Sequence, residues 1–190
     1  DTYGMSIPIT KHNYLVRSAE ELLSVIPDAF RIATEGRPGP VLIDIPKDVQ
    51  LEMFEFDSWP EMATRAISGQ LEDNDLRQAA ALINAAQRPI LYLGGGIIHG
   101  EASEAAISLA EKGSLPTTMT LMGLGAMPAE HPLALSMLGM HAARYTNMAL
   151  EECDLLIVAG ARFDDRATGK ISEFCPGAKV IHIDIDPGEI

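Results

Sequence analysis

The stretch Ile90-Leu91-Tyr92-Leu93-Gly94-Gly95-Gly96 joins a short apolar run directly to three glycines. Such a run, bounded by turn signals, is typical of a strand buried on both faces. Glycines at its end let the backbone approach a ligand, and the amides of a following helix point at a phosphate. We therefore predict a strand at residues 90–93 and a phosphate-binding turn at 94–96. The spacing departs from G-x-G-x-x-G, because His99 stands in the third position, so a glycine turn without a ligand is an open alternative.

Helical and strand-like patterns alternate on both sides of this stretch. The apolar spacing predicts helices from a cap at Asp73 or Asn74 to about residue 88, over 101–112 and over 142–151. Apolar runs predict further strands at 116–119, 155–159 and 179–184. This order is typical of an α/β domain: an open, mainly parallel, Rossmann-like sheet of four strands with helices on both faces. Ligands of such sheets bind at the carboxyl ends of the strands.

Residues 1–50 are predicted to form the last part of a different α/β domain. Ser18 and Glu21 have the spacing of a capping box, so we predict that a helix begins there, with a kink at Pro27. Its expected apolar face consists of Leu22, Leu23, Ile26, Ala29, Phe30 and Ala33. A buried strand is predicted at 41–45, and this helix and strand are too little to bury a core alone. Residues 51–72 are predicted to be a linker, and 73–190 a dinucleotide-binding domain.

Composition excludes several classes of protein. The formal net charge of −13 repels a nucleic-acid backbone, and no apolar run approaches the roughly eighteen residues that span a membrane. Cys153 and Cys175 lack metal spacing and predict buried thiols in a reducing cytoplasm, and the five histidines show no metal motif, so no metal ligand is predicted. The start at Asp1, without Met or signal peptide, and the end at Ile190, where a helix is expected, predict a piece of a longer chain.

Two further segments follow predicted strands and carry charged groups. Residues 160–166 read Gly-Ala-Arg-Phe-Asp-Asp-Arg, and arginine forks at a sheet edge suit phosphate and ribose. Asp184 and Asp186 follow the last strand, where a carboxylate commonly accepts a hydrogen bond from a ribose hydroxyl; helix capping is the alternative. Together with residues 94–96, these segments predict a dinucleotide site. Spacing alone leaves FAD and NAD both open.

Three groups of motifs resemble the large subunits of acetolactate (acetohydroxyacid) synthase. The resemblance covers essentially the whole chain and is especially close to the bacterial isozyme-I type. It rests on Ile-Thr-Lys-His-Asn-Tyr at 9–14 with Gly-Arg-Pro-Gly-Pro-Val-Leu-Ile-Asp-Ile-Pro-Lys-Asp at 36–48. It rests also on Thr-Leu-Met-Gly-Leu-Gly at 120–125 with Met-Leu-Gly-Met-His at 137–141, and on residues 160–166 with Thr-Gly-Lys at 168–170. The pair Met-Leu-Gly-Met-His and Arg-Phe-Asp-Asp-Arg is the most specific.

The resemblance implies a three-domain parent subunit. Residues 1–50 would end its domain that binds the pyrimidine of thiamine diphosphate, and residues 73–190 would be most of its central FAD-binding domain. The family condenses two pyruvates, or pyruvate and 2-ketobutyrate, with loss of CO₂, in branched-chain amino-acid biosynthesis. Thiamine diphosphate and Mg²⁺ carry that chemistry, while FAD undergoes no net redox change. The resemblance also implies a cytoplasmic homo-oligomer that can bind a small regulatory subunit.

Site residues carried over from the family all concern FAD or the substrate channel. Lys47, Met140, Asp165 and Arg166 would face that channel. The implied FAD contacts are Arg37, Gly94, Gly95, Gly96, Thr120, Leu121, Met122, Leu138, Gly139, Met140, His141, Gly160, Ala161, Arg162, Asp164, Arg166, Asp184 and Ile185.

No catalytic residue is predicted in this segment. In the family the glutamate that activates the cofactor lies upstream, and the Gly-Asp-Gly motif for Mg²⁺ and diphosphate lies downstream, so we expect the chain alone to be inactive. The alternatives are another carboligase or oxidase of the superfamily, such as glyoxylate carboligase or pyruvate oxidase, and a stand-alone dinucleotide-binding module. The second alternative leaves residues 1–50 without a purpose.

Overall fold

The computed structural model describes residues 1–61 and 72–190, which belong to two compact units, Asp1–Gly69 and Gln70–Ile190. The predicted linker at 51–72 includes residues 62–71, which lie outside the described residues. The domain boundaries at 1–50, 51–72 and 73–190 therefore stay predictions. Among the helices at 1–61 and 72–190, none is long and apolar enough to cross a membrane.

The first unit is built around two parallel strands. In chain order its elements are α1 (Thr2–Ser6), β1 (His12–Leu15), α2 (Leu22–Thr34), β2 (Val41–Asp44) and α3 (Lys47–Gln50). Strands β1 and β2 pair in register from His12 opposite Val41 to Leu15 opposite Asp44. Val16, Val25 and Val49 form its buried core. The sequence predicted β2 with one residue more, whereas β1, which carries only four residues of mixed polarity, was missed.

Helix α2 differs from its prediction at its start and on its buried face. The Ser18 hydroxyl accepts a hydrogen bond from the Glu21 amide at 3.3 Å, but the Glu21 carboxylate bonds the amide of Arg17 instead of Ser18. The pair closes a turn, and the helix begins only at Leu22. The helix runs on past Pro27, which removes one backbone donor. Val25 and Ala29 are its buried residues, whereas Ile26 and Phe30 of the predicted face are exposed.

The second unit is a parallel sheet with helices on both faces. In chain order its elements are α4 (Asp73–Ala85), β3 (Pro89–Leu93), α5 (Gly95–His99), α6 (Ser103–Gly113), β4 (Thr117–Met119), β5 (Ala134–Met137), α7 (Arg144–Glu152), β6 (Leu155–Ala159), α8 (Asp165–Thr168) and β7 (Lys179–Ile183). The strand order is β5-β4-β3-β6-β7, and every pairing is parallel. The predicted α/β class is confirmed.

Successive side chains along β3 and β6 lie in two different hydrophobic cores, one on each face of the sheet. Leu91, Leu93, Leu155 and Ile157 pack in one core with residues of α6, whereas Tyr92 and its neighbours pack on the other face with α7. Both faces are buried, which explains why β3 and β6 are apolar throughout. The second core is made of Ile90, Tyr92, Leu138, Leu150, Cys153, Leu156, Val158, Ala161 and Cys175. The predicted burial of both thiols is thus confirmed.

Three elements of the second unit were not foreseen, namely β5, α5 and α8. Strand β5 pairs with β4 through a shifted register, with Ser136 at a φ of +62°. This irregular, partly polar strand gives no clean alternation, which is why four strands were predicted and five are found. The glycine turn itself is helical, because Gly95 and Gly96 open the short helix α5. Helix α4 begins one residue after Glu72, which makes no side-chain cap, and Asp73 is its first helical residue instead of its cap.

Asp154 clamps the amino ends of the two central strands together. Its carboxylate accepts hydrogen bonds from the amides of Gln87, at 2.7 Å, and Arg88, at 2.9 Å. These two bonds hold the pKa of Asp154 below its ordinary value of 3.8. Because the folded pKa is the lower one, the clamp stabilises the fold fully above pH values near 4. That contribution is lost as the pH falls through the folded pKa.

We expect Asp154→Asn to be less stable than the unsubstituted chain at pH 7 and to lose less stability on acidification. The amide cannot titrate, and one of its two terminal atoms is a donor facing a donor. Urea denaturation at pH 7, 5 and 3, followed by circular dichroism, measures both effects. A difference between the two proteins that is the same at all three pH values would contradict the assigned clamp.

Candidate functional site

Most of the predicted site segments meet at one edge of the second unit. They follow β3, β4, β5, β6 and β7, and all five strands are parallel, so these loops share the carboxyl edge of the sheet. The chain runs from β3 outward to β4 and β5, then returns to β6 on the other side of β3. The order therefore reverses between β3 and β6, which is where open α/β sheets form a ligand crevice.

At this reversal two glycine turns touch backbone to backbone. Gly96 N donates to Gly160 O at 3.0 Å, and Gly94 N donates to Ala159 O at 2.9 Å. A Cβ atom at position 94 would lie 2.0 Å from Gly160 O, and one at position 160, where φ is +58°, would lie 2.8 Å from the Cα of Gly96. The contact between the two turns therefore requires glycine at 94, 96 and 160, whatever ligand the turns bind.

The loop after β4 borders the same turn. The Thr120 hydroxyl accepts a hydrogen bond from Gly123 N at 2.9 Å and so caps the 3-10 turn Leu121–Gly123. A Cβ at Gly95 would lie 3.1 Å from the Cβ of Met122. Leu121 and Met122 are about 70% exposed, at 69% and 70%. Two large apolar side chains thus stand in solvent beside the glycine turn, as the wall of a binding site for an aromatic ring would.

The loop after β5 packs on the segment after β6. Gly139 has a φ of +85°, and a Cβ there would lie 2.4 Å from Arg166 O and 3.0 Å from the Cα of Ala167. Leu138 is buried in the core, while Met140 is 75% exposed and His141 is exposed. The predicted segments 138–141 and 160–166 therefore lie in contact with each other, through the backbone of Gly139 and that of Arg166. Met140 and Arg166 also border a cleft of about 310 Å³ between α7, α8 and the segment 169–175.

Two aromatic residues, the buried Tyr92 and the half-buried His182, hold the loop at 160–166 through hydrogen bonds to its backbone. The Tyr92 hydroxyl donates to Arg162 O at 3.1 Å, and Nε2 of His182 donates to Ala161 O at 3.0 Å, since a carbonyl can only accept. The ring of Phe163 meets the edges of both. Burial, and then the nearby Asp164 carboxylate, raise the pKa of Tyr92, so its hydroxyl stays a donor. Sequence reasoning missed both residues, although a tyrosine inside a buried strand signals a hydroxyl that needs a partner.

The predicted carboxylates have local partners. Oδ1 of Asp164 accepts from the amides of Arg166 and Ala167, both at 3.1 Å, and so caps α8. Oδ1 of Asp184 accepts from Asp186 N at 2.9 Å and closes a turn after β7. The alternative predicted for Asp184 was helix capping, whereas the structure shows a turn with no helix at residues 185–190. Each carboxylate has a second oxygen, so contacts of Asp164, Asp184 and Ile185 with a ligand stay predictions.

Two arginines supply the positive charge of this edge. Arg162 and Arg166 are both exposed, and neither guanidinium makes a salt bridge or hydrogen bond within residues 1–61 and 72–190. Their only bonds in these ranges use backbone atoms. In a chain of net charge −13, two uncompensated cations beside glycine turns fit an anionic ligand.

Three predicted residues remain to be placed, two in the first unit and one on the cleft beside Arg166. Arg37 and Lys47 belong to the first unit, where Arg37 follows the end of α2 and Lys47 opens α3. Asp165, the first residue of α8, is exposed next to Arg166 and borders the same cleft. The roles assigned to these three residues remain predictions.

Residues 76–190 match the family described as "Thiamine pyrophosphate enzyme, central domain". The match covers more than half of the chain and runs from within α4 to the last residue, so it includes every segment of the sheet edge described above. The chain therefore belongs to the thiamine pyrophosphate enzymes, and residues 76–190 correspond to their central domain.

Relatives narrow this class further. Over 190 residues the chain is 63% identical to the acetolactate synthase isozyme 1 large subunit of Escherichia coli and 46% identical to the isozyme 2 large subunit of the same organism. It is 50% identical over 193 residues to the acetolactate synthase of Mycobacterium bovis. Each alignment covers all of this chain but only 34%, 34% and 31% of the relative. The chain thus spans about a third of the length of the relatives it matches.

Proposed function

We propose that this chain supplies the FAD-binding central part of an acetolactate synthase large subunit. The observation that carries the proposal is the pair of exposed, uncompensated guanidinium groups of Arg162 and Arg166 next to the glycine turns at the strand reversal. A dinucleotide carries a pyrophosphate, which is the anion such an edge is suited to bind. The whole-chain identity to acetolactate synthase large subunits supports the choice of enzyme.

The whole enzyme would join two pyruvates to 2-acetolactate and CO₂, or pyruvate and 2-ketobutyrate to the corresponding hydroxy acid. Thiamine diphosphate and Mg²⁺, bound by other parts of the parent subunit, supply the decarboxylation and carbon–carbon bond chemistry when they are present. The reaction leaves the flavin without a net redox change, so the central domain contributes binding and order. Residues Lys47, Met140, Asp165 and Arg166 are proposed to face the substrate channel.

Within this chain we propose separate roles for the glycine turns, the arginines and the exposed apolar side chains. The turns at Gly94–Gly96 and Gly160 let backbone approach the phosphates, because no side chain stands between. Arg162 and Arg166 neutralise the phosphates with planar forks. The apolar side chains of Leu121, Met122 and Met140 cover the flavin ring and exclude water from it. Arg37 from the first unit is proposed as a further FAD contact.

The same relatives bear on the subunit association, substrates and location proposed for the whole enzyme. The name "large subunit" of the Escherichia coli relatives supports association with a small subunit. We further propose a homo-oligomer of large subunits that acts on small 2-ketoacids in the cytoplasm.

Titration of the chain with FAD, followed by flavin fluorescence, tests the proposal directly. We expect saturable binding with a dissociation constant in the micromolar range or weaker, which corresponds to about 8 kcal/mol or less. NAD⁺ and FMN serve as matched competitors, because each shares only part of FAD. Absence of FAD binding, or displacement of FAD by equimolar NAD⁺, would contradict the proposal.

A further inference from the structure

Asn147 lies outside the predicted site but bonds directly to it. The residue is half-buried on α7, and its side-chain amide makes two hydrogen bonds with one backbone unit. Nδ2 donates to Gly139 O at 3.1 Å, and Oδ1 accepts from Gly139 N at 3.3 Å. The side chain therefore fixes both the position and the orientation of Gly139.

Gly139 in turn touches the loop that carries the arginines. It holds a φ of +85°, which side chains rarely adopt, and a Cβ there would lie 2.4 Å from Arg166 O. A displacement of Gly139 toward α8 is blocked by this backbone contact. A displacement away from α8 breaks the two bonds to Asn147. The backbone at 139 is thus confined between α7 and α8.

We propose that Asn147 is a positioning residue that couples the loop at 138–141 to the segment at 165–168 and so aligns Met140 with Arg166. The proposal rests on the proposed function, because the ligand on which these two side chains would converge is the flavin dinucleotide. Asn147 would act through Gly139 and need not touch the ligand.

Only a carboxamide side chain supplies both the hydrogen-bond donor and the acceptor that the backbone of Gly139 requires. Gly139 presents one donor and one acceptor, and Asn147 answers with one acceptor and one donor. Aspartate has the same shape but no donor, and its charge would face the carbonyl oxygen of Gly139. Alanine loses both bonds and leaves the amide and carbonyl of Gly139 to find water.

The experiment compares Asn147→Asp and Asn147→Ala with two controls in the full chain. Asn84→Asp makes the same chemical change on the exposed surface of α4, and Asp154→Ala removes the clamp at the opposite edge of the sheet. Amide hydrogen exchange of residues 138–141 and 165–168 is measured by mass spectrometry without ligand, and FAD affinity is measured by flavin fluorescence. Thermal denaturation checks that each variant is folded, and Asn147→Ala decides the question if Asn147→Asp is not.

We expect both Asn147 variants to exchange faster in both segments and to bind FAD about fivefold to tenfold more weakly, as the loss of one or two hydrogen bonds predicts. Asp154→Ala should lower thermal stability and leave FAD affinity unchanged, which separates positioning from general loss of stability. Faster exchange at 138–141 alone would overturn the coupling. Unchanged FAD affinity despite faster exchange in both segments would overturn the positioning role. If the unsubstituted chain binds no FAD, the proposed function fails, while the exchange data still decide the coupling.

Discussion

Gly94→Ala is expected to destabilise the second unit by about 3 kcal/mol or more, at the upper end of what over-packing costs. The added methyl group would lie 2.0 Å from Gly160 O and 2.5 Å from the Cα of Ala161. Both obstacles are backbone atoms, so no side-chain rotation relieves the overlap. They also belong to the turn that follows β6, the strand next to β3 at the centre of the sheet. The two turns must separate, and the hydrogen bond from Gly96 N to Gly160 O would break with them.

Gly177→Ala is the matched control for this substitution. No atom lies within 4 Å of a Cβ at position 177, and its φ is not in the left-handed region. The change should be neutral or slightly stabilising, because alanine lowers the entropy of the unfolded chain. Urea denaturation, combined with hydrogen exchange of the β3 and β6 amides, measures the second unit specifically. Similar stabilities of the two variants would show that the close approach of the turns is not maintained in solution.

The sequence predicted the apolar strands of the sheet more accurately than the irregular elements. Strands β3 and β6 were placed within one residue at each end, because burial on both faces leaves a continuous apolar run with clear limits. The edge strand β7 is more exposed, but its apolar residues also placed it within one residue at each end. The start of α2 was not, because the Glu21 carboxylate bonds the amide of Arg17 instead of that of Ser18. Strand β5 was not either, since its shifted pairing with β4 depends on a tertiary contact. Local patterns carry no record of such partners.

The candidate site shows the same division. Motif resemblance named the loops that the sheet brings to one edge, yet it could not name Tyr92, His182 or Asn147, which hold those loops by bonds to backbone. A side chain that bonds a carbonyl or amide leaves no fixed spacing in the sequence. The resemblance also could not tell why glycines stand at 94, 96 and 160. The structure shows that they allow the two turns to touch each other, whereas their approach to a phosphate is proposed.

The double substitution Arg162→Ala and Arg166→Ala is expected to weaken FAD binding by about 100-fold or more. A hydrogen bond to a charged group contributes about 1.5–3 kcal/mol, and every 1.4 kcal/mol is tenfold in affinity. Both guanidinium groups are exposed and make no salt bridge in the described ranges, so their removal breaks no side-chain hydrogen bond or salt bridge there. Stability should therefore change little, whereas a chain with a net charge of −13 would lose its local attraction for pyrophosphate.

Two comparisons separate this charge effect from others. Arg77→Ala removes an exposed arginine from α4, which belongs to none of the predicted site segments, and should leave FAD affinity unchanged. The double lysine variant keeps the charge but loses the planar fork, so we expect it to recover only part of the affinity. Because screening weakens a charge contact, the affinity of the unsubstituted chain should fall between 50 mM and 500 mM salt, and that of the double alanine variant should fall less. Flavin fluorescence at both salt concentrations measures all four proteins. An unchanged dissociation constant in the double alanine variant would remove both arginines from the proposed site, and with them the observation on which FAD binding rests.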